Sequence, residues 1–173
     1  MTSEPAAIEA PDPVAGRFDS TDVAAHQCFA CGSLNEHGMH LVMHVEGGRS
    51  WTELELEPRF AGWEGIAHGG IVCTILDEVM AWSLAASDAW GVTARMAVDF
   101  KRPIEVGTPL RAEGHVTRQR RRIVDTAATI IDRRDGTILA TATATYLAAD
   151  AARQAELRAR YGFPPAGVPA GSR

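Results

Sequence analysis

The sequence has no run approaching the roughly 18 apolar residues that a membrane-spanning helix needs, so no membrane role is expected. Positive charge is also in short supply. The 17 Lys and Arg stand against 22 Asp and Glu, a net charge of −5, which argues against a general nucleic-acid binder. There are only three cysteines, so at least one is unpaired and a secreted disulfide framework is not expected. The opening MTSEPAAIEAPDPVAG has acids and prolines where a signal peptide has basic residues and an apolar core, so the cytoplasm is the expected compartment. Nothing repeats at a fixed period, and neither EGGR nor HGG has the spacing of a nucleotide-phosphate loop. What is present suits one globular domain: 173 residues, 46% hydrophobic and 23% charged.

Residues 1–20, rich in Ala, Pro and acids, read as a disordered tail, and residues 21–150 as the folded domain. Residues 151–173 read as a short polar helix, drawn from ADAARQAELRAR, and a flexible end. Within the domain, MHLVMHV and SWTELELEP alternate as strands around the turn EGGR. A helix from Gly69 to about Ala86 follows. Then come four strand-like segments, TARMAVDFKRP, PLRAEGHVTRQR, RIVDTAATIIDR and TILATATATYLA, with RRDG as a hairpin signal between the last two. One long helix beside an antiparallel meander predicts an α+β fold in which the sheet wraps the helix. A parallel sheet would need more crossover helices than this chain holds.

At roughly 100° per residue, Ile71, Val72, Ile75, Leu76, Val79, Met80 and Trp82 cover a wide apolar arc of that helix. The remaining third carries Thr74, Asp77, Glu78, Ala81 and Ala85. Asp77 lies at one rim beside Cys73, and Glu78 at the other beside Ile71 and Trp82, so the two acids do not form a coupled pair. The bland reading is that both keep an outer face wet. Against it, Gly69 and Gly70 are poor helix formers placed at the helix start. Bare amides at a helix N-terminus attract negative charge, including charge developing on a carbonyl oxygen.

HGGIVCTILDE resembles the helix signature of hotdog-fold acyl-CoA thioesterases of the PaaI-like group. CFACGSLNEHGMHL upstream and TARMAVDFKRPIEVGTPL downstream are similar to segments of one branch of that group. The resemblance spans roughly Cys28 to Ala148 and implies a hotdog fold. It implies that Asp77 is the catalytic carboxylate, as base on water or as nucleophile. It also implies that the Gly69 amide, with Gly70 adjacent, polarises the thioester carbonyl, and that the Thr93 hydroxyl holds the water or the carboxylate. Glu78 has no catalytic counterpart and is expected to be wet or to partner a basic residue. The aryl-CoA branch often carries an Asn or Gln where this chain has Gly62, which weakens transfer of that specificity. Eight helical residues span roughly 12 Å, whereas amide and carboxylate should both lie about 3 Å from the reacting centre. The mechanism therefore predicts a homodimer, or a dimer of dimers, with antiparallel helices. The expected substrate is an acyl-CoA-type thioester of unspecified chain. Its thiolate leaves readily, so no cofactor or metal is expected.

Other side chains invite rival chemistry. Cys73 lies one turn from Asp77, whose charge would raise its thiol pKa, so it reads as packing rather than as a nucleophile. Cys28 and Cys31, with His26 and His37 nearby, invite a zinc site, but with no second C-x2-C the pair reads as a tight turn ended by Gly32. His68 reads as shaping the glycine turn, with proton transfer as its secondary role. Arg95, Lys101, Arg102 and Arg120 are the candidates for contact with coenzyme A phosphates. Two alternatives to the hydrolase stay open: a non-catalytic acyl-thioester binding module, and a hotdog dehydratase or hydratase, whose motifs are missing.

Overall fold

The alternating segments pair into one seven-stranded antiparallel sheet in the computed structural model, which describes residues 17–86 and 89–162. The elements, in chain order, are β1 (Phe18–Asp19), β2 (His44–Glu46), β3 (Arg49–Glu55), a small hairpin of β4 (Ala61–Trp63) and β5 (Ile66–Ala67), and α1 (Gly69–Ala86). They continue with β6 (Gly91–Phe100), β7 (Pro109–Arg120), β8 (Ile123–Asp132), β9 (Ile138–Ala148) and α2 (Ala151–Tyr161). The sheet order is β1-β2-β3-β7-β8-β9-β6, which leaves β6 as an edge. The last three strands form a meander because their turns fit. Gly136 has φ +76, as the RRDG turn requires, and Gly47 and Gly48 have φ +57 and +77 in EGGR.

The helix follows the expected limits, and its apolar arc faces the sheet. Val72, Ile75, Leu76, Val79 and Met80 are all buried. They meet a sheet face made largely of small side chains: Ala112 on β7, Ala128 on β8, and Ala140, Ala142 and Ala144 on β9. The closest approach is at Gly114 of β7, where a Cβ would stand 2.5 Å from the Val79 carbonyl oxygen. Its cross-strand neighbour Ser50 donates its hydroxyl proton to the same carbonyl. A notch of two small residues thus holds the helix backbone directly against the sheet.

Two segments differ from expectation. MHLVMHV contributes only its last residues to β2. Ahead of them, His40 has φ +52, and Met39 and Leu41 bond to the carbonyls of Phe29 and Ala30. Phe18, inside the expected N-terminal tail, is buried and its ring lies 6.1 Å from that of Trp82. Residues 1–16 and the end from residue 163 lie outside the described residues, while the polar helix forms as α2, capped by Asp150 and ended by Gly162 at φ +68.

Gly114→Ala places a methyl group where the α1 backbone already lies. It is expected to lower unfolding stability by about 1–3 kcal/mol, as overpacked cores do, read as a reduced midpoint in urea denaturation.

Candidate active site

The HGG turn starts α1 with one of its two glycine amides already bound. The His68 carbonyl accepts from Ile71 and Val72, and its ring Nδ1 accepts from the Gly70 amide at 2.9 Å. His68 is thus the side-chain cap of the helix, and the position after it must be small, because a Cβ on Gly70 would come within 3.0 Å of that Nδ1. The Gly69 N–H has no hydrogen-bond acceptor among the described residues and opens to the surface. Of the two glycine amides named in the sequence, one is bound and one is free. The ring of Phe100, from the end of β6, lies against Gly69.

Two turns along α1, Asp77 receives two hydroxyl protons on the same oxygen. Thr93 Oγ1 donates to Oδ1 at 2.8 Å, and the Tyr146 hydroxyl donates to it at 2.7 Å. The Tyr146 hydroxyl also lies 2.9 Å from the Asp77 carbonyl oxygen. Oδ2 receives no hydrogen bond among the described residues. The arrangement follows from strand register, since Thr93 on β6 pairs directly with Tyr146 on β9. A bulge just after Thr93 then turns the strand, so that Met96 and Val98 pack on the core while Arg95 opens outward. Burial, then the Asp77 charge, pushes the Tyr146 phenol well above its ordinary range. It is therefore a fixed proton donor, and it holds the carboxylate without competing for its chemistry. Sequence reasoning missed Tyr146. Its signal was a single polar-tipped aromatic at the end of TATATY, on the strand face otherwise filled by alanines.

Glu78 is not wet. Its carboxylate is enclosed by Trp82, whose indole N–H donates to Oε1 at 2.8 Å, and by the Cys28 thiol, 3.8 Å from Oε2. Burial, and then the neighbouring Cys28 charge, raises its pKa to about 7. The angular reading of α1 placed the two acids at opposite rims correctly. It lacked the Cys28–Gly32 loop, 50 residues upstream, that covers the second rim. Cys73 is half-buried and its thiol is pushed up by burial and then by Asp77, as the one-turn spacing implied.

The basic candidates do not gather in one place. Lys101 and Arg102 are exposed just after Phe100, at the Gly69 end of the site, and Lys101 lies 3.3 Å from Asp99. Arg95 sits on the outer face of the sheet among Asp125, Thr143 and Thr145. Arg120 is at the exposed turn between β7 and β8. A cavity of about 600 Å³ lies between the Cys28 loop, the C-terminal half of α1 and α2, and neither Asp77 nor Gly69 lines it. In the single chain the Asp77 carboxylate faces open surface beside the β6 edge, where Val92 is 70% exposed.

The Tyr146 shift carries a sign. Its folded-state pKa is above the unfolded value of 10.0, so its contribution to stability is complete below pH 10 and is lost as pH rises beyond it. Wild type is therefore expected to lose stability between pH 10 and 11 by more than Tyr146→Phe does, measured by denaturant titration at each pH.

Residues 64–139 match the sequence profile of the thioesterase superfamily. The human protein named acyl-coenzyme A thioesterase 13 is 23% identical over 95 residues, covering 54% of this chain and 68% of that protein. A crystal structure of a thioesterase superfamily protein has a TM-score of 0.66 at 23% identity. The match covers 70% of this chain but only 60% of that one. A hypothetical thioesterase from Streptococcus pneumoniae, in complex with coenzyme A, has a TM-score of 0.56 at 20% identity over 58% of this chain and 81% of that one. Crystals of the same protein also exist with an aspartate, and with a threonine sixteen positions further on, replaced by alanine. The sheet wrapped on one glycine-started helix and the likeness to these structures make this a hotdog fold, and within it residues 64–139 resemble the thioesterase superfamily.

Proposed function

We propose that the domain hydrolyses an acyl-CoA-type thioester, with Asp77 Oδ2 as the reactive oxygen and the Gly69 amide as the oxyanion donor. The observation that carries this reading is the division of labour on Asp77. Thr93 and Tyr146 saturate Oδ1 and fix the side chain, which leaves Oδ2 open to the surface. The spacing of sixteen between Asp77 and Thr93 equals that of the two residues replaced in the Streptococcus pneumoniae relative. The names of that relative and of the human one point to the same substrate class.

In the general-base route, Oδ2 takes a proton from water as the water oxygen adds to the thioester carbonyl carbon. The oxygen that gains charge is held by the Gly69 N–H, and collapse expels the thiolate. In the alternative route Oδ2 itself attacks the carbonyl, and water then hydrolyses the resulting anhydride. Both routes need an amide about 3 Å from the reacting centre, and Asp77 lies roughly 12 Å along the helix from its own Gly69. The partner subunit's Gly69 therefore serves Asp77 across a two-fold axis. The open β6 edge, ten residues long with exposed Val92 and Phe100, supports this assembly, since an uncovered edge of that length invites strand pairing. Lys101 and Arg102, at the Gly69 end, are the residues proposed to meet the coenzyme A phosphates.

Release of free thiol from aryl, short-chain and long-chain acyl-CoAs tests the reading. Asp77→Ala is expected to lower kcat by at least about 100-fold, and Tyr146→Phe by roughly ten-fold, the worth of one hydrogen bond. Equal rates for wild type and Asp77→Ala would show a binding module instead. The shared site has its own test, because Pro fits the first helical position yet lacks the N–H. Mixing inactive Gly69→Pro with inactive Asp77→Ala should restore about a quarter of wild-type activity through heterodimers with one intact site. A site built within one chain gives no recovery.

A further inference from the structure

The sulfurs of Cys28 and Cys31 and a carboxylate oxygen of Glu78 lie within 4.8 Å of one another, on the rim of α1 opposite Asp77. We propose that these three residues bind a thiophilic divalent cation, zinc foremost, with the fourth position open toward the cavity beside α2.

The loop is built to present the sulfurs. The Gly32 amide donates to the Cys28 carbonyl at 2.9 Å, which closes C-F-A-C-G into a tight turn. Any Cβ at Gly32 would run into the backbone of Cys28 and His26, so the turn tolerates no other residue there. The carbonyls of Phe29 and Ala30 are tied to Met39 and Leu41, so the turn is anchored on both sides and its two thiols face α1. A thiolate is the form that ligates metal.

Glu78 supplies the third ligand with its geometry already set. Trp82 Nε1 donates to Oε1 at 2.8 Å, and Cys28 Sγ lies 3.9 Å from Oε1 and 3.8 Å from Oε2, which leaves Oε2 as the oxygen with no indole partner. Metal-binding carboxylates are fixed in this way by an outer hydrogen bond. In a tetrahedral zinc site, ligands about 2.0–2.3 Å from the metal stand roughly 3.3–3.8 Å apart, so the three atoms need to close by only a small distance. Two sulfurs and one oxygen suit zinc, whereas calcium and magnesium take oxygen ligands. A divalent ion bound there displaces the thiol protons.

His26 lies outside the coordination. Its Nδ1 accepts from the Cys28 amide at 3.3 Å, so Nε2 carries the proton of the neutral ring and directs it toward Cys31 Sγ, 4.0 Å away. Cys28, Cys31, His26 and Trp82 all line the 600 Å³ cavity, which gives the fourth position an approach from solvent. The metal would tie the N-terminal loop to α1 at the residue next to Asp77.

The test uses the full chain, reduced and stripped with chelator. Cobalt titration of wild type is expected to give a thiolate-to-cobalt charge-transfer band that saturates at one equivalent and is abolished by zinc. Zinc should also raise the Tm of wild type, reversibly with chelator, a result that needs no variant. Cys28→Ser and Cys31→Ser, checked for folding by circular dichroism, should each weaken binding by more than about 100-fold, beyond the loss of an outer partner. Glu78→Gln should weaken it at least ten-fold, while Cys73→Ser binds as wild type does. Absence of the band in wild type overturns the proposal. So does a band that persists in Cys28→Ser, or unchanged affinity in Glu78→Gln.

Discussion

The distance between α1 and the sheet governs the rest of the molecule. At Gly114 there is no side chain between the helix backbone and β7, and Ser50 beside it bonds the Val79 carbonyl that settles into the gap. That contact sets the height of the helix over β9. It brings Asp77, half a turn before Val79, down to the level of the Tyr146 hydroxyl. A bulkier sheet face would hold the helix higher and leave that carboxylate out of reach of its two donors. The alanines of β7, β8 and β9 serve the same purpose, and the lone tyrosine is the one tall residue of its strand face.

Lowered onto the sheet, α1 exposes two narrow rims, and adjacent residues on them meet opposite conditions. Asp77 looks out past the edge strand, with one oxygen held and the other free. Glu78, about 100° further round, is shut beneath the Cys28 loop with an indole and two thiols. Two neighbouring carboxylates thus acquire different chemistry from the surfaces that cover them. One keeps an oxygen open to the surface, and the other is closed in by its neighbours.

Much of this was legible in the residues. The HGG start and the apolar spacing gave the limits of α1, and RRDG and EGGR gave the turns, because such signals are local. Thr93 was found only through a motif resemblance, and its contact with Asp77 follows from the strand register. Tyr146 was missed for the same reason: the pairing of residues 93 and 146 is a property of the assembled sheet, not of either segment. The reading of Glu78 failed because its cover comes from a loop 50 residues away. The free Gly69 amide was anticipated, but the use of the Gly70 amide by His68 depends on a ring orientation that no spacing encodes.

Gly62 packs so tightly that a Cβ there would come within 3.1 Å of both the backbone and the ring of His68, the residue that caps α1. In the aryl-CoA branch of the group that the sequence resembles, this is the position that often bears an Asn or Gln. Here that change would first require the cap to move, and the cap keeps the helix start in order. Gly62 and His68 are therefore coupled positions: a larger side chain at the first fits only as the second gives way by a few tenths of an ångström, and with it the start of α1.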